Sequence, residues 1–293
     1  MANQTVKTNT FLQNTLNAKF LGTDIQPSSF EIGDGTTAPS TGDTSLTRRI
    51  PVKNTEQIDD FDATTGWSAG TDSAVSLNTT TFKQGTGSVS LAKSGTSGTS
   101  MSMDKTVTSL DFTSKDLWLW VYITDVTELV SSGTALTIRY GSDSSNYYYL
   151  DVAIGSLSDG WNYVTFNTST ASGTTGSPTI AACDYLYFAF NVDAAGDTIA
   201  ADQIMIDDAK LAEEADYTLS FQTGYPVVTA AQYKAETRGR LGTTDANGSL
   251  ISESGEINAD GDLESHSVFD GESKSDTDIF VISEITRIRQ QNV

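Results

Sequence analysis

Cysteine is nearly missing from this 293-residue chain: Cys183 stands alone, so no intrachain disulfide can form and the fold must hold by packing. Histidine is as scarce, with His266 the only one, and one cysteine plus one histidine argue against a zinc site. A Ser-His-Asp arrangement can be drawn from any serine-rich chain, and the neighbours Ser265 and Ser267 read as ordinary strand residues. Bases are few, 17 Lys and Arg against 38 Asp and Glu, for a net charge of −21. Nucleic-acid binding needs basic clusters on the phosphates, so that class is set aside. No apolar run approaches the ~20 residues of a membrane span, and no membrane insertion is expected. The phosphate-cradling Gly-x-x-x-x-Gly-Lys pattern does not occur. Among 38 acids nothing singles out a catalytic pair, and the reading is non-enzymatic. The start, MANQTVKTNTFLQ, lacks a charged segment followed by an apolar one, which predicts no signal peptide and synthesis in a cytoplasm.

What the chain has is short apolar runs separated by Gly, Ser, Asp and Asn, with only five prolines, an all-β composition. The most informative run is Leu117–Ile123. At a period of two, Leu117, Leu119, Val121 and Ile123 share one face, and Trp118, Trp120 and Tyr122 share the other. The aliphatic face predicts a core. The aromatic face predicts either a second packed layer or a partly open platform for a flat ligand such as a sugar ring.

Nine strands are expected between 59 and 211: 73–78, 86–92, 100–108, 117–123, 134–140, 146–154, 161–167, 184–192 and 202–211. That density, without helices, predicts a jelly-roll β-sandwich. Five more are expected after 211, at 217–221, 225–238, 249–257, 262–270 and 278–289, with Asn247-Gly248 as a hairpin turn. Before 59, Thr44–Val52 reads as a strand and Phe11, Leu12, Leu16 and Phe20 as a short amphipathic helix or arm. Residues 1–58 are too few for their own core, and 212–293 lack a complete sandwich. The jelly roll of 59–211 is therefore predicted to be inserted into a second, smaller β domain built from both chain ends. Charge divides unevenly: 1–58 is neutral, 59–211 carries −12 and 212–293 carries −9.

Sugar-binding candidates are Trp118, Trp120 and Tyr122, together with Tyr147 and Tyr149, which share a strand face, and the nearby polar Asp143, Ser145 and Asn146. Packing against a second sheet or a neighbouring subunit is the competing reading. Trp67 and Trp161 follow glycine at turn-to-strand junctions and are left out of the candidates.

Two sets of residues carry a resemblance. In the middle, LWLWVYITD (117–125), Leu136–Ser142, Gly160–Val164 and Ile204–Leu211, preceded by Asp60-Phe61-Asp62, Gly66-Trp67 and Gly85–Leu91, resemble galactose-binding-like and carbohydrate-binding-module jelly rolls. That likeness implies a core place for Trp67 and Trp161, and a structural calcium between the first and last strands, with Asp60, Asp62, Asp207 and Asp208 as ligands. In the flanks, Phe30–Leu46, Asn247–Gly255, Val268-Phe269 and Lys274–Asp278 resemble a structural protein of tailed viruses, with Glu256 standing where an apolar residue is more usual. This implies a virion protein of a phage or archaeal virus, a tail- or capsid-attached appendage with an outward jelly roll for host-surface glycan. Its implied partners are other virion proteins, further copies of itself as a homo-oligomer, and a host cell-surface glycan; its implied location is the released virion. A purely architectural decoration, a cellular carbohydrate-binding protein and a depolymerase are the alternatives.

Overall fold

The computed structural model describes residues 4–13, 27–53, 55–229, 234–275 and 277–287. The chain divides into two compact units, one of 56–213 and one of 1–55 with 214–293. Both are β-structures.

The 56–213 unit is a sandwich of two antiparallel sheets. One runs Gly173–Thr175, Asn146–Ala153, Thr134–Asp143, Cys183–Asn191, Ser100–Leu110 and Ser68–Ala69; the other runs Gly160–Asn167, Asp116–Ile123, Ile204–Ala212, Ser88–Lys93 and Ser73–Asn78. Alternation explains the layers. Leu117, Leu119, Val121 and Ile123 point into a core shared with Leu136, Ile138, Tyr140, Leu186, Phe188 and Phe190. Each such side chain contributes about 1.5–3 kcal/mol on leaving water. Trp67 and Cys183 lie in this core as well. The strand Glu56–Asp59 pairs with Ile204–Ala212, which carries the unit beyond the 59–211 read from the sequence. The texture change at Asp59 marks the aromatic content, and the hydrogen-bonded sheet begins three residues earlier.

The unit of both chain ends holds a sheet ordered Gln4–Lys7, Leu263–Ser273, Leu250–Asn258, Pro27–Gly33 and Leu219–Ser220, with Arg49–Ile50 also on Pro27–Gly33. A three-stranded sheet runs Val227–Thr229, Lys234–Leu241 and Phe280–Arg287. Several expectations are corrected here. Thr44–Val52 is strand only at Arg49–Ile50, since the segment before it is a loop whose backbone serves Glu253. Asn247-Gly248 is not a hairpin turn, because Lys234–Leu241 and Leu250–Asn258 belong to different sheets. Instead Asn247 Oδ1 accepts from the Lys274 ammonium (2.8 Å) and the Gly248 N–H donates to the Lys274 carbonyl (2.9 Å). Residues 9–13 are helical; Leu16 and Phe20 lie outside the described residues.

The flank motifs meet in this unit. Glu253 is fully buried, its carboxylate accepting the Arg48 N–H at 2.7 Å and the Thr47 N–H at 3.1 Å. Glycine is required opposite it: a Cβ on Gly33 would stand 2.3 Å from Glu253 Oε1. Glu256 is buried with Glu284 between the sheets, where Lys7 reaches both at 2.5 and 2.9 Å and Ser265 and Thr237 donate to them. The acid at 256 is compatible with burial because Lys7 and two hydroxyls solvate it.

Candidate functional site

On the sheet centred on Thr134–Asp143, the residues alternating with the core face solvent. Register places Tyr149, Arg139, Tyr187 and Asp104 in one row across four strands. The next row reads Tyr147, Gly141, Tyr185 and Thr106. The Arg139 guanidinium lies 4.6 Å from the Tyr147 ring and 4.4 Å from the Tyr187 ring. Cation–π contacts of this kind contribute roughly 0.5–2 kcal/mol each and fix an otherwise mobile side chain. Tyr185 and Tyr187 stack at 6.4 Å and 22°, and Tyr147 meets Tyr149 edge-on at 6.5 Å. All four tyrosines and the arginine are part-exposed.

Gly141 sits between Tyr147 and Tyr185, where a Cβ would come within 2.5 Å of the Tyr147 backbone. Only glycine lets the two strands approach this closely here. Arg139 Nε is buried with no hydrogen-bond partner. Burial, with Asp104 nearby, pushes the Tyr185 hydroxyl up to about 12, so it stays a neutral donor and acceptor. The face therefore offers apolar ring surfaces, a clamped guanidinium and hydroxyls.

Tyr147 and Tyr149 stand where the alternation predicts, and Tyr148 turns inward to stack on Tyr140. Tyr185, Tyr187 and Arg139 were not expected. The signal was the same period of two, in Tyr185-x-Tyr187 with Leu186 and Phe188 inward, and in Arg139 between Ile138 and Tyr140. Asn146 stands part-exposed in the hairpin turn, where its amide donates to both Asp143 oxygens at 3.1 Å and its oxygen accepts the Ser177 N–H at 2.9 Å. A turn that satisfies its own polar atoms leaves this side chain to hold the hairpin.

The platform of Trp118, Trp120 and Tyr122 is also corrected. It lies on the outer face of the other sheet, yet Trp118 and Trp120 are each 3% exposed. Tyr163 packs on both rings, Lys210 stands over Trp118 at 4.8 Å and Lys83 over Trp120 at 4.3 Å. Long lysine stems cover the aromatic surface. Tyr122 remains part-exposed beside Trp161, which is not a core residue as expected but its cross-strand partner on the same outer face.

The four acids suggested for calcium gather at one end of this sheet without forming a cage. Asp208, at φ +52° in a bulge of Ile204–Ala212, pairs with Lys210 at 2.8 Å and accepts from Gln57 at 3.1 Å. Asp207 Oδ2 takes the Lys83 and Gln84 N–H groups, and Asp62 Oδ1 takes those of Thr86 and Gly87. Asp60 caps its own turn at Asp62 N–H. Burial, with Asp208 and Asp62 nearby, pushes Asp207 up to about 7 despite its two backbone donors. Its Oδ1, buried without a partner, is a lone oxygen, where calcium needs six to eight. Among the described residues no group of three or more His, Cys, Asp or Glu could hold a metal ion. These residues fit an ammonium, that of Lys210, and not a calcium ion.

His266 lies in the other unit, both ring nitrogens taken by carboxylates, while Ser265 bonds Glu256 and Glu284.

No family model and no curated protein matches this chain. Among solved structures it is similar to a family 11 carbohydrate-binding module from Clostridium thermocellum in complex with a β-1,3-1,4-mixed-linked tetrasaccharide, at 11% identity and TM-score 0.39 over 54% of this chain and 95% of that one. It is similar to the C-terminal family 22 carbohydrate-binding module of a Clostridium thermocellum protein, at 15% and 0.31 over 57% and 96%. An exo-β-agarase is matched at 10% and 0.38 over 54% of this chain and 25% of that one.

Proposed function

We propose that the chain is a non-catalytic glycan-binding protein whose binding surface is the tyrosine face of the 56–213 unit. The observation that carries this is Arg139, held between the Tyr147 and Tyr187 rings on a solvent-facing sheet. Pyranose rings present C–H faces that lie on aromatic rings and hydroxyls that need fixed donors and acceptors. A guanidinium clamped by two rings has lost its rotamer freedom before binding, which lowers the ordering cost. One shallow face gives weak affinity, so several copies on one particle or cell surface would supply the avidity.

The setting we propose is the surface of a tailed-virus particle. It rests on the resemblance of the flank motifs to virion structural proteins and on no structural observation; a cellular carbohydrate-binding protein competes with it. Immunolabelling of released particles against cells separates the two.

The binding reading is tested by a glycan array on the intact protein, followed by calorimetry on the best glycan. Tyr187→Ala and Arg139→Ala are expected to weaken binding at least tenfold, about 1.4 kcal/mol. Thr165→Ala, exposed on the opposite sheet, is the matched control. An intact protein that retains no glycan, or variants that bind like it, would remove the reading.

A further inference from the structure

The strand Phe280–Arg287 forms one edge of the three-stranded sheet and, among the described residues, pairs only with Lys234–Leu241. Sheet edges are ordinarily guarded by lysine, proline, bulges or short length. This edge runs eight residues, FVISEITR, without lysine, proline, glycine or a register shift. Its outward face is Val281, Ser283 and Ile285, with Val281 49% and Ile285 45% exposed. A groove of about 320 Å³ runs along the strand, lined by Phe280, Val281, Ile282 and Ile285 with Phe269 and Ser267.

We propose that this edge is where a second copy of the chain docks, the two strands running antiparallel about a two-fold axis through Ser283. The pattern is its own complement. A two-fold at Ser283 sets Val281 opposite Ile285 of the second copy, and Ile285 opposite Val281 of the second copy, which closes an apolar stripe over both. Charge agrees in the two outer rows, while the central row sets Arg238, already paired with Glu236, on the far side of each Ser283. Arg240 lies beside Val281, and Glu236 beside Ile285. Each outer row thus runs Arg240, Val281, Ile285 of the second copy, Glu236 of the second copy, with base facing acid across the apolar pair. Within Phe280–Thr286 the only charge is Glu284, already held by Lys7. Copies of a chain carrying −21 repel one another over most of their surface. The strands Val227–Thr229, Lys234–Leu241 and Phe280–Arg287 instead carry four bases, Lys234, Arg238, Arg240 and Arg287, against Glu236 and Glu284. Such a contact is isologous and closes at two copies, joining two three-stranded sheets into one of six.

The test uses the intact 31.3 kDa chain. Light scattering across a concentration series should show the mass rising toward twice that value, and Val281→Lys with Ile285→Lys should hold it at one copy. Register is read by oxidation. Facing residues of an antiparallel pair lie about 4.5–5.5 Å apart at Cα, within disulfide range. Ser283→Cys should therefore self-link rapidly. Val281→Cys should not link to itself but should link to Ile285→Cys in a mixture. Native Cys183 does not interfere, because it is buried and its thiol is pushed up to about 12. A single-copy mass at every concentration overturns the proposal and leaves the edge to a foreign strand. Equal linking of Ser283→Cys and Val281→Cys overturns it too, since random collision would then explain both.

Discussion

His266 Nε2 lies 3.0 Å from Glu253 Oε2, and the opposite ring nitrogen lies 2.7 Å from Asp43 Oδ2. A ring with a carboxylate at each end donates from both nitrogens, so the imidazolium is the form the site holds. Burial alone would depress His266, but hydrogen bonds to Glu253 and Asp43 outweigh it and raise the group above 6.5. Glu253 and Asp43 move the other way: burial pushes each up, and hydrogen bonds from His266 and backbone N–H groups bring each below its ordinary range. The histidine contribution is full below its unfolded value and is lost as pH rises through the raised folded one. The carboxylate contributions are full above their unfolded values and are lost as pH falls through the depressed folded ones. Stability from this cluster should therefore peak between the ordinary carboxylate range and about pH 6.5. With one histidine in the chain, its ring proton resonance titrates without assignment ambiguity, and a midpoint at or below 6.5 refutes this. His266→Gln should flatten the loss of melting temperature between pH 6 and 9.

Among the described residues, Lys7 is the one ammonium set between Glu256 and Glu284, which are 2% and 9% exposed. Lys7→Met leaves two buried carboxylates to repel each other, and breaking such a pair from one side costs about 3–5 kcal/mol. Chemical denaturation should show that loss, and adding Glu256→Met to Lys7→Met should recover part of it. If the double variant is less stable than the single by the full cost of a second cavity, the electrostatic account is wrong.

Trp120→Ala should act on stability and not on glycan binding. The ring is 3% exposed under Tyr163 and Lys83, on the sheet opposite the tyrosine face. Its removal should cost about 3–5 kcal/mol, with the folded variant binding glycan like the intact chain. A binding loss as large as that of Tyr187→Ala would restore the tryptophan platform.

Much of this architecture is written locally. The period of two sorted Leu117–Ile123 into a core face and an aromatic face, and it sent Tyr147 and Tyr149 away from the core. Period cannot say what covers an outward face. Trp118 and Trp120 are covered by Lys210 and Lys83, the second from a loop remote in sequence, so their burial is a tertiary fact. The same period puts Arg139 on the outward face between Ile138 and Tyr140, but does not say which rings flank it: that needs the register that sets Tyr149 and Tyr187 on either side. The Asn-Gly turn was misread because local turn preference is blind to the two strands entering different sheets.

Lys210 should make the 56–213 unit indifferent to calcium. Its ammonium already neutralises Asp208 at 2.8 Å, and calcium would have to displace it. No shift in melting temperature is expected between chelator and millimolar calcium. Lys210→Ala removes the internal cation and leaves the buried Asp208 without its ion pair, so that variant should be destabilised. A calcium-dependent melting temperature in the intact chain would reinstate the metal.

The 56–213 unit begins at the strand Glu56–Asp59. Glu56 lies opposite Leu211 and Gln57 opposite Lys210, so the two ends of 56–213 are adjacent strands of one sheet. Gln57 also donates to Asp208, and Lys115 pairs with Glu56 at 2.8 Å. A sandwich of this size buries enough surface to fold alone. Expressed by itself, 56–213 should therefore melt cooperatively and keep its glycan affinity. A version trimmed to 59–211 loses the Glu56–Ile58 strand, with two or three net hydrogen bonds at about 1 kcal/mol each. It also exposes the Asp208 bulge beside it. The trimmed form should be less stable by about 3 kcal/mol yet bind glycan equally when folded, because the tyrosine face is on the other sheet. Equal stability of the two forms would mean that Glu56–Asp59 adds nothing to the unit and that the texture change at Asp59 is the true boundary.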